Sequence, residues 1–187
     1  MKRLLGPGTL GPAMWMGVVA LGLLLHRTAD APDVSVTPVA RDGQVLVTFD
    51  LSDGFTADVR DAIQSGLPTT FSYVVELRQG SAAWFDRTLS AVTITATVRF
   101  DNLTRRYQMS RAFGDHVEDA WATEDLDAVR RWMTHFERVH VSATSTLEVN
   151  GEYYVRVRAR TRHRDTWFFW PWDRLAVLGR GKFTFIR

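Results

Sequence analysis

The chain has 187 residues, of which 45% are hydrophobic and 24% charged, and this length suffices for one domain with a substantial core. It contains no cysteine, which excludes disulfides and thiolate chemistry. The formal net charge is +2, and residues 1–31 supply all of it, so a globally basic nucleic-acid-binding protein is disfavoured.

The N-terminal segment has the pattern of an export signal. Lys2 and Arg3 precede a charge-free run at residues 4–25, which is just long enough to span a bilayer as a helix. Residues 29–31, Ala-Asp-Ala, provide a small-x-small cleavage signal, so removal and retention of the segment both remain open. We expect residues 1–31 to be a signal peptide or signal anchor and residues 32–187 to form a single domain outside the cytoplasm.

The domain is predicted to begin with a β-hairpin and a short helix. Residues 34–39 and 45–51 flank Asp42-Gly43, a dipeptide suited to the positive φ angles of a tight turn. Thr56 is a good N-cap for a helix that runs to about Ser65, and Gly66 provides a left-handed stop.

Alternation of apolar and polar residues then predicts three strands, at about residues 71–77, 92–100 and 104–111. A second helix is predicted from Thr123 to near Arg138, with Leu126, Val129, Trp132, Met133 and Phe136 as its apolar stripe. Seven acidic side chains fall in residues 115–138. This region could therefore lie over a basic surface elsewhere in the molecule and neutralise it.

Asn150-Gly151 is the strongest hairpin signal in the chain, and it predicts that residues 144–149 pair with the strand that follows. A strict two-residue hairpin would place Leu147 opposite Tyr154, on the polar face of that strand. Either a bulge shifts the register or this face is partly covered.

That following strand carries arginine at every second position, so one face should present five guanidinium groups, while Tyr153, Val155, Val157 and Ala159 line the other. We call these five residues the arginine ladder: Arg156, Arg158, Arg160, Arg162 and Arg164. Neighbours roughly 7 Å apart repel by only about 0.6 kcal/mol in water, so a solvated face is feasible. A contact surface for an anionic partner is the alternative interpretation.

An aromatic cluster at residues 167–172 follows the ladder and contains Trp167, Trp170 and Trp172. These tryptophans either close the end of the fold or lie at a membrane interface. The predicted strands, the two short helices and the absence of βαβ alternation indicate a mainly β fold. We expect an antiparallel β-sandwich-like module preceded by an N-terminal hydrophobic helix.

The sequence contains no convincing catalytic constellation. Its five histidines show no metal-binding spacing, and we expect no metal site and no cofactor. Asp86-Arg87 and Asp173-Arg174 are adjacent acid–base pairs beside aromatic residues. Such pairs are usually structural ion pairs or turn residues, and a catalytic role would require the two carboxylates to converge in a cleft.

Several long segments resemble the bacterial family known as domain of unknown function 4390: residues 54–77, 84–89, 97–111, 128–139 and 150–174. The resemblance implies a bacterial envelope protein of about this length with a leader segment. It implies no activity and no catalytic residues.

The leading hypothesis is therefore a non-enzymatic binding module of the bacterial cell envelope, whose contact face comprises the arginine ladder, Trp167, Trp170 and Trp172. Its expected partner is an envelope protein or an anionic lipid or glycan, not nucleic acid. Residues 4–25 would attach it to the inner membrane with the domain on the periplasmic side, or be cleaved to release it there. The alternative is a hydrolase or transferase that acts on an envelope polymer or lipid through Asp86 or Asp173.

Overall fold

The computed structural model describes residues 31–80, 86–163 and 176–186, with residues 162 and 163 described by their backbone alone. The strands within these ranges are β1 (Asp33–Arg41), β2 (Gln44–Ser52), β3 (Thr69–Gln79), β4 (Arg87–Asp101), β5 (Arg106–Phe113), β6 (His116–Thr123), β7 (His135–Ala143), β8 (Glu152–His163) and β9 (Val177–Thr184). The helices are α1 (Ala57–Gln64) and α2 (Leu126–Thr134), with a 3-10 turn at Thr144–Thr146.

The strands form two antiparallel sheets, which confirms the predicted mainly β sandwich-like class. One sheet has the order β1-β2-β7, and the other has the order β6-β5-β4-β3-β8-β9. Between them lies a core in which the rings of Phe49, Tyr73 and Phe136 meet with centroids 4.7–5.2 Å apart. Both helices contribute to this core, α1 through Val59 and Ile63 and α2 through Val129 and Met133. The six-stranded sheet therefore has an inner, covered face and an outer face.

The first hairpin and the first helix are as predicted. Asp42 and Gly43 both have positive φ angles, 51° and 77°, and they join β1 to β2. Thr56 caps α1, because its hydroxyl accepts a hydrogen bond of 3.3 Å from the Val59 amide. Gly66 follows the helix with a φ of 87°.

The second helix is shorter than predicted. It begins at Leu126 after Asp125, whose carboxylate accepts a hydrogen bond from the Asp127 amide, and it ends at Thr134. The predicted start, Thr123, belongs to β6, and the predicted last turn is the beginning of β7. Phe136 is nevertheless buried, as predicted. Its position fits the apolar stripe of a helix and also the inward positions of strand β7.

The predicted hairpin at Asn150-Gly151 is wrong. Strand β8 pairs with β3 and β9, whereas β7 pairs with β2 in the other sheet. A turn does form, since Asn150 has a φ of 63° and the Gly151 amide donates to the Glu148 carbonyl. It belongs to a connection between the two sheets, so neither a bulge nor a cover is needed to explain Leu147, which is buried in that connection.

Strand β1 lies against β9 at a very short backbone separation. The approach requires glycine, because a Cβ atom at Gly181 would lie 2.5 Å from the Val36 carbonyl oxygen and one at Gly179 would overlap the Val34 carbonyl oxygen. Val34 lies beside Gly179 and Val36 beside Gly181, so the two strands run in the same direction. The start of β1 is consequently near the start of β9.

Candidate functional site: the basic outer face of strands β3, β8 and β9

The arginine ladder lies on the outer face of β8 as far as the structure describes it. Val155, Val157 and Ala159 are buried in the core, and the alternate positions project outward. Arg156 and Arg158 are half-buried and Arg160 is exposed. Arg162 belongs to β8, but its side chain lies outside the described residues, as do Arg164, Trp167, Trp170 and Trp172.

Glu76 binds two members of the ladder. It lies directly opposite Arg156 in the β3–β8 register, and its side chain is only 11% exposed. Arg156 Nε donates to Glu76 Oε2 at 2.8 Å, and Arg158 Nη2 donates to Glu76 Oε1 at 2.7 Å. One carboxylate thus fixes two guanidinium groups through charge-assisted hydrogen bonds.

Strand β9 adds two cations that the predicted contact face did not include. Arg180 lies directly opposite Arg156, and Lys182 lies opposite Tyr154. Neither side chain forms an ion pair with another described residue, and the same holds for Arg160. The signal that could have identified them is the alternation of Leu178, Arg180 and Lys182 with two glycines, because glycines at inward positions weaken the usual apolar pattern of a strand.

The outer surface of these three strands, with Asp86 beside it, is called the basic face below. Its described charged side chains are six basic residues (Arg78, Arg156, Arg158, Arg160, Arg180 and Lys182) and three acidic residues (Glu76, Asp86 and Glu152). The face therefore carries a surplus of positive charge, because its basic side chains outnumber the acidic ones by three.

Tyr154 lies at one end of the basic face and organises a cluster around Asp86. The Tyr154 hydroxyl donates a short hydrogen bond to the Asp86 carboxylate, and Arg78 Nη2 donates to the Asp86 carbonyl oxygen at 2.9 Å. The Arg180 guanidinium carbon lies 4.0 Å from the Tyr154 ring centroid, a cation–π contact. Burial of the ring, together with the hydrogen bond to Asp86, raises the pKa of Tyr154.

A cleft of about 480 Å³ opens beside this cluster. Its lining includes Gly80, Asp86, Glu152, Tyr154, Arg180 and Lys182. Asp86, one of the two carboxylates considered for catalysis, therefore lies in a cleft. Asp173, the other one, lies outside the described residues.

The acidic region at residues 115–138 does not neutralise the basic face. Strand β6 lies at the opposite edge of the six-stranded sheet from β9. Helix α2 packs on the inner side, where Val129 and Met133 enter the core. The counter-charges that the structure places on the basic face come from Glu76, Asp86 and Glu152 instead.

A second charged cluster lies on the other sheet. His135 Nδ1 is 2.9 Å from Asp50 Oδ2, and His135 Nε2 is 2.9 Å from Glu137 Oε1. The hydrogen bond to Glu137 and, secondarily, that to Asp50 raise the pKa of His135 despite partial desolvation. A cavity of about 410 Å³ lies beside it and is also lined by Asp53, Arg130 and Arg131.

Two features are absent from the described part of the chain: a metal-binding cluster and a membrane-spanning helix. No group of three or more histidine or acidic side chains within it is arranged to hold a metal ion. No helix in residues 31–80, 86–163 or 176–186 is long and apolar enough to cross a membrane. Residues 4–25, the predicted membrane segment, lie outside these ranges.

Fold and site together define an antiparallel β-sandwich with one basic outer face. The family model described as "Domain of unknown function (DUF4390)" matches residues 32–166, so the chain belongs to that family. This confirms the resemblance noted in the sequence. Comparison with curated proteins and with solved structures finds no match.

Proposed function

We propose that this protein is a non-enzymatic binding module of the bacterial cell envelope, which contacts an anionic partner through its basic face. The observation that carries the proposal is the surplus of positive charge on this face, where six basic side chains stand against three acidic ones among the described residues. Arg160, Arg180 and Lys182 form no ion pair with another described residue, and an anionic partner would supply their counter-charge.

The arrangement of the guanidinium groups also favours binding. Glu76 restrains Arg156 and Arg158, so less side-chain entropy is lost when a partner binds there. Arg160 is exposed and has no carboxylate partner among the described residues. An exposed guanidinium group without a carboxylate partner can form paired hydrogen bonds with a carboxylate or phosphate group.

The partner belongs to the envelope: a protein with an acidic surface, or an anionic lipid or glycan. In this proposal residues 4–25 direct the chain to the inner membrane, and the domain faces the periplasm. The start of β1 lies near the start of β9, and Val177 pairs with Ala159, so the chain enters the domain at the same end as Arg160. In this proposal the contact face also includes the residues that the sequence predicts for it and whose side chains lie outside the described part of the chain: Arg162, Arg164, Trp167, Trp170 and Trp172.

Co-purification from native cells tests the proposal. Replacing Arg156, Arg158 and Arg160 with serine in the full chain, together with Glu76→Gln so that no buried carboxylate loses both of its partners, should remove partners that the wild type retains after crosslinking. The matched control replaces Arg41, Arg60 and Arg106, whose side chains are largely exposed and pair with nearby acids elsewhere on the molecule. An unchanged set of partners in the first variant, or an equal loss in both, would contradict the proposal.

A second candidate, a hydrolase or transferase that acts on an envelope polymer or lipid, is favoured by one observation. Asp86 lies in the 480 Å³ cleft with Glu152, so two carboxylates line the same cavity. Turnover of such a polymer by the wild-type protein and its loss in Asp86→Asn would support this candidate. Turnover that persists in that variant would exclude Asp86 from the chemistry.

A further inference from the structure

The cleft beside Tyr154 has two chemically different walls. Arg180 and Lys182 project from β9 on one side, and Asp86 lies on the other side, beyond Tyr154. Glu152 belongs to the same cleft and precedes Tyr154 on the outer face of β8. The cleft therefore presents two cationic donors and two carboxylates, and Tyr153, Phe183 and Thr184 complete much of its lining.

We propose that this cleft binds a small ligand that carries both a phosphate group and hydroxyl groups, that is, a sugar phosphate. The phosphate would lie against Arg180 and Lys182, and the sugar hydroxyls would donate to Asp86 and Glu152. The site lies at one end of the basic face and does not include Arg156, Arg158 or Arg160, which carry the proposed macromolecular contact.

The lining suits a ligand that carries both groups. Phosphate alone would contact only Arg180 and Lys182, whereas a neutral sugar would leave those two cations without an acceptor. Neither cation forms an ion pair within the described residues, so both are available to a ligand. Alternate residues of a strand are about 7 Å apart, and these long side chains can converge on one phosphate. The volume of about 480 Å³ is within the range of small-molecule sites.

Tyr154 acts as a positioning residue in this site. Its hydroxyl donates to the Asp86 carboxylate, and its ring carries the Arg180 guanidinium. Arg78 holds the Asp86 backbone from the other side. Both walls are thus fixed through one side chain, which itself is only 5% exposed. Such preorganisation reduces the entropic cost of binding.

The lysine content of the chain provides a direct reporter. Lys2 and Lys182 are its only lysines, so reductive methylation with ¹³C-formaldehyde labels the cleft at one position and preserves the charge. In the labelled full chain, kept in neutral detergent, glucose 6-phosphate should shift the Lys182 signal to saturation and leave Lys2 unchanged. Inorganic phosphate and glucose should each bind about tenfold more weakly or worse, because each lacks one set of charge-assisted hydrogen bonds.

Three variants test which part of the ligand each side of the cleft binds. Arg180→Gln should weaken sugar phosphate binding about tenfold, and Asp86→Asn should remove the preference for sugar phosphate over inorganic phosphate. Tyr154→Phe should weaken binding while the Lys182 signal keeps its saturable response. Arg60→Gln, on the exposed side of α1, is the control and should change nothing.

No shift of the Lys182 signal by glucose 6-phosphate at millimolar concentration would overturn the inference. Equal affinity for inorganic phosphate would do the same, because it would leave Asp86 and Glu152 without a role. Since Arg156, Arg158 and Arg160 are unaltered in every variant, failure here is distinguishable from failure of the proposed envelope contact.

Discussion

Glu76 carries one negative charge between two guanidinium groups, and its carboxylate is almost completely buried. A buried carboxylate without partners would be strongly destabilising, and here Arg156 and Arg158 satisfy both of its oxygens. The pairing also explains how the ladder tolerates its own repulsion. Glu76 thus has two separable effects: it stabilises the sheet, and it reduces the positive charge of the basic face.

Replacing Glu76 with glutamine should lower the stability of the fold and raise the affinity of the basic face for anions. The free energy of unfolding should fall by about 1–3 kcal/mol, less than for a fully buried pair because the arginine side chains are 28% and 34% exposed. Binding to anionic vesicles should rise at low salt, since the face gains a positive charge. Urea denaturation and vesicle flotation measure the two quantities. Asp61→Asn, in an exposed pair with Arg60, should change neither.

His135 predicts a defined pH dependence of stability. Its pKa is raised, chiefly by the hydrogen bond to Glu137 and then by that to Asp50. Because the pKa is higher in the folded state, protonation of His135 stabilises the fold. This stabilisation is complete below the unfolded-state pKa of about 6.5 and is lost as pH rises through the folded-state pKa. The other charged groups near the ring are Asp53, Arg130 and Arg131, which line the adjacent cavity.

Thermal unfolding between about pH 6 and pH 8.5 tests this assignment. Wild-type protein should lose stability with rising pH, and His135→Gln should lose less over the same interval. His140→Gln, an exposed position on the same strand, should retain the wild-type slope. Equal slopes in all three proteins would show that His135 does not carry the effect.

At the scale of elements, Arg111 joins strand β5 to the end of helix α2. Its guanidinium donates to the carbonyl oxygens of Trp132 and His135, the latter at 2.7 Å, and it stacks 4.1–4.2 Å from the ring centroids of Trp132 and Phe136. A cation is favourable at the C-terminal end of a helix dipole. Burial lowers the pKa of Arg111, although an arginine remains charged at any physiological pH.

Arg111→Lys should destabilise the fold by about 2–4 kcal/mol, because lysine keeps the charge but cannot donate in a planar fork to two carbonyl groups. Chemical denaturation measures the loss. Arg99→Lys, at an exposed position on β4, is the control and should lie near the wild type. A wild-type midpoint for Arg111→Lys would mean that charge alone fixes the end of α2.

The close approach of β1 to β9 predicts that a larger residue in place of glycine destabilises the fold. Gly179→Ala places a methyl group against the Val34 carbonyl oxygen, so the strands must separate, and a loss of about 1–3 kcal/mol is expected. Gly80→Ala is the control, because the nearest atom to its Cβ position would be 4.0 Å away. Equal stability of the two variants, measured by denaturation, would show that β1 can shift at no cost.

Local patterns in the sequence predicted most individual elements. The turn at Asp42-Gly43 and the cap at Thr56 depend on neighbouring residues alone, so they could be identified without the fold. Strand β6 was missed because its residues are nearly all exposed at a sheet edge and show no apolar alternation. The end of α2 was misplaced because Phe136 fits both periodicities.

The candidate site was only partly predictable, because it depends on which strands are neighbours. Alternation placed Arg156, Arg158 and Arg160 on one face, as the structure confirms. The pairing of Glu76 with two of them requires β3 beside β8, a contact across 80 residues that no local pattern reveals. The misassigned hairpin at Asn150-Gly151 shows the same limit: a turn can form where its flanking segments enter different sheets.

At the scale of the whole molecule, charge is separated across the larger sheet. Strand β6, at one edge, contains Glu118 and Asp119, whereas β9, at the other edge, contains Arg180 and Lys182. The described part of the chain thus presents a cationic surface at one edge and acids at the opposite edge. An anionic partner that approaches such a molecule is steered toward the basic face.

Site-specific photo-crosslinking in native cells tests the central claim, that the basic face contacts an anionic envelope partner. A photoreactive residue at position 160 samples the exposed part of the face, and one at position 41 samples the β1–β2 turn. We predict a discrete crosslinked species from position 160 and none from position 41. The species should be lost when Arg156 and Arg158 are replaced by serine in a chain that also carries Glu76→Gln, which avoids an unpaired buried carboxylate. The absence of any crosslink at 160, or identical crosslinks from both positions, would contradict the account.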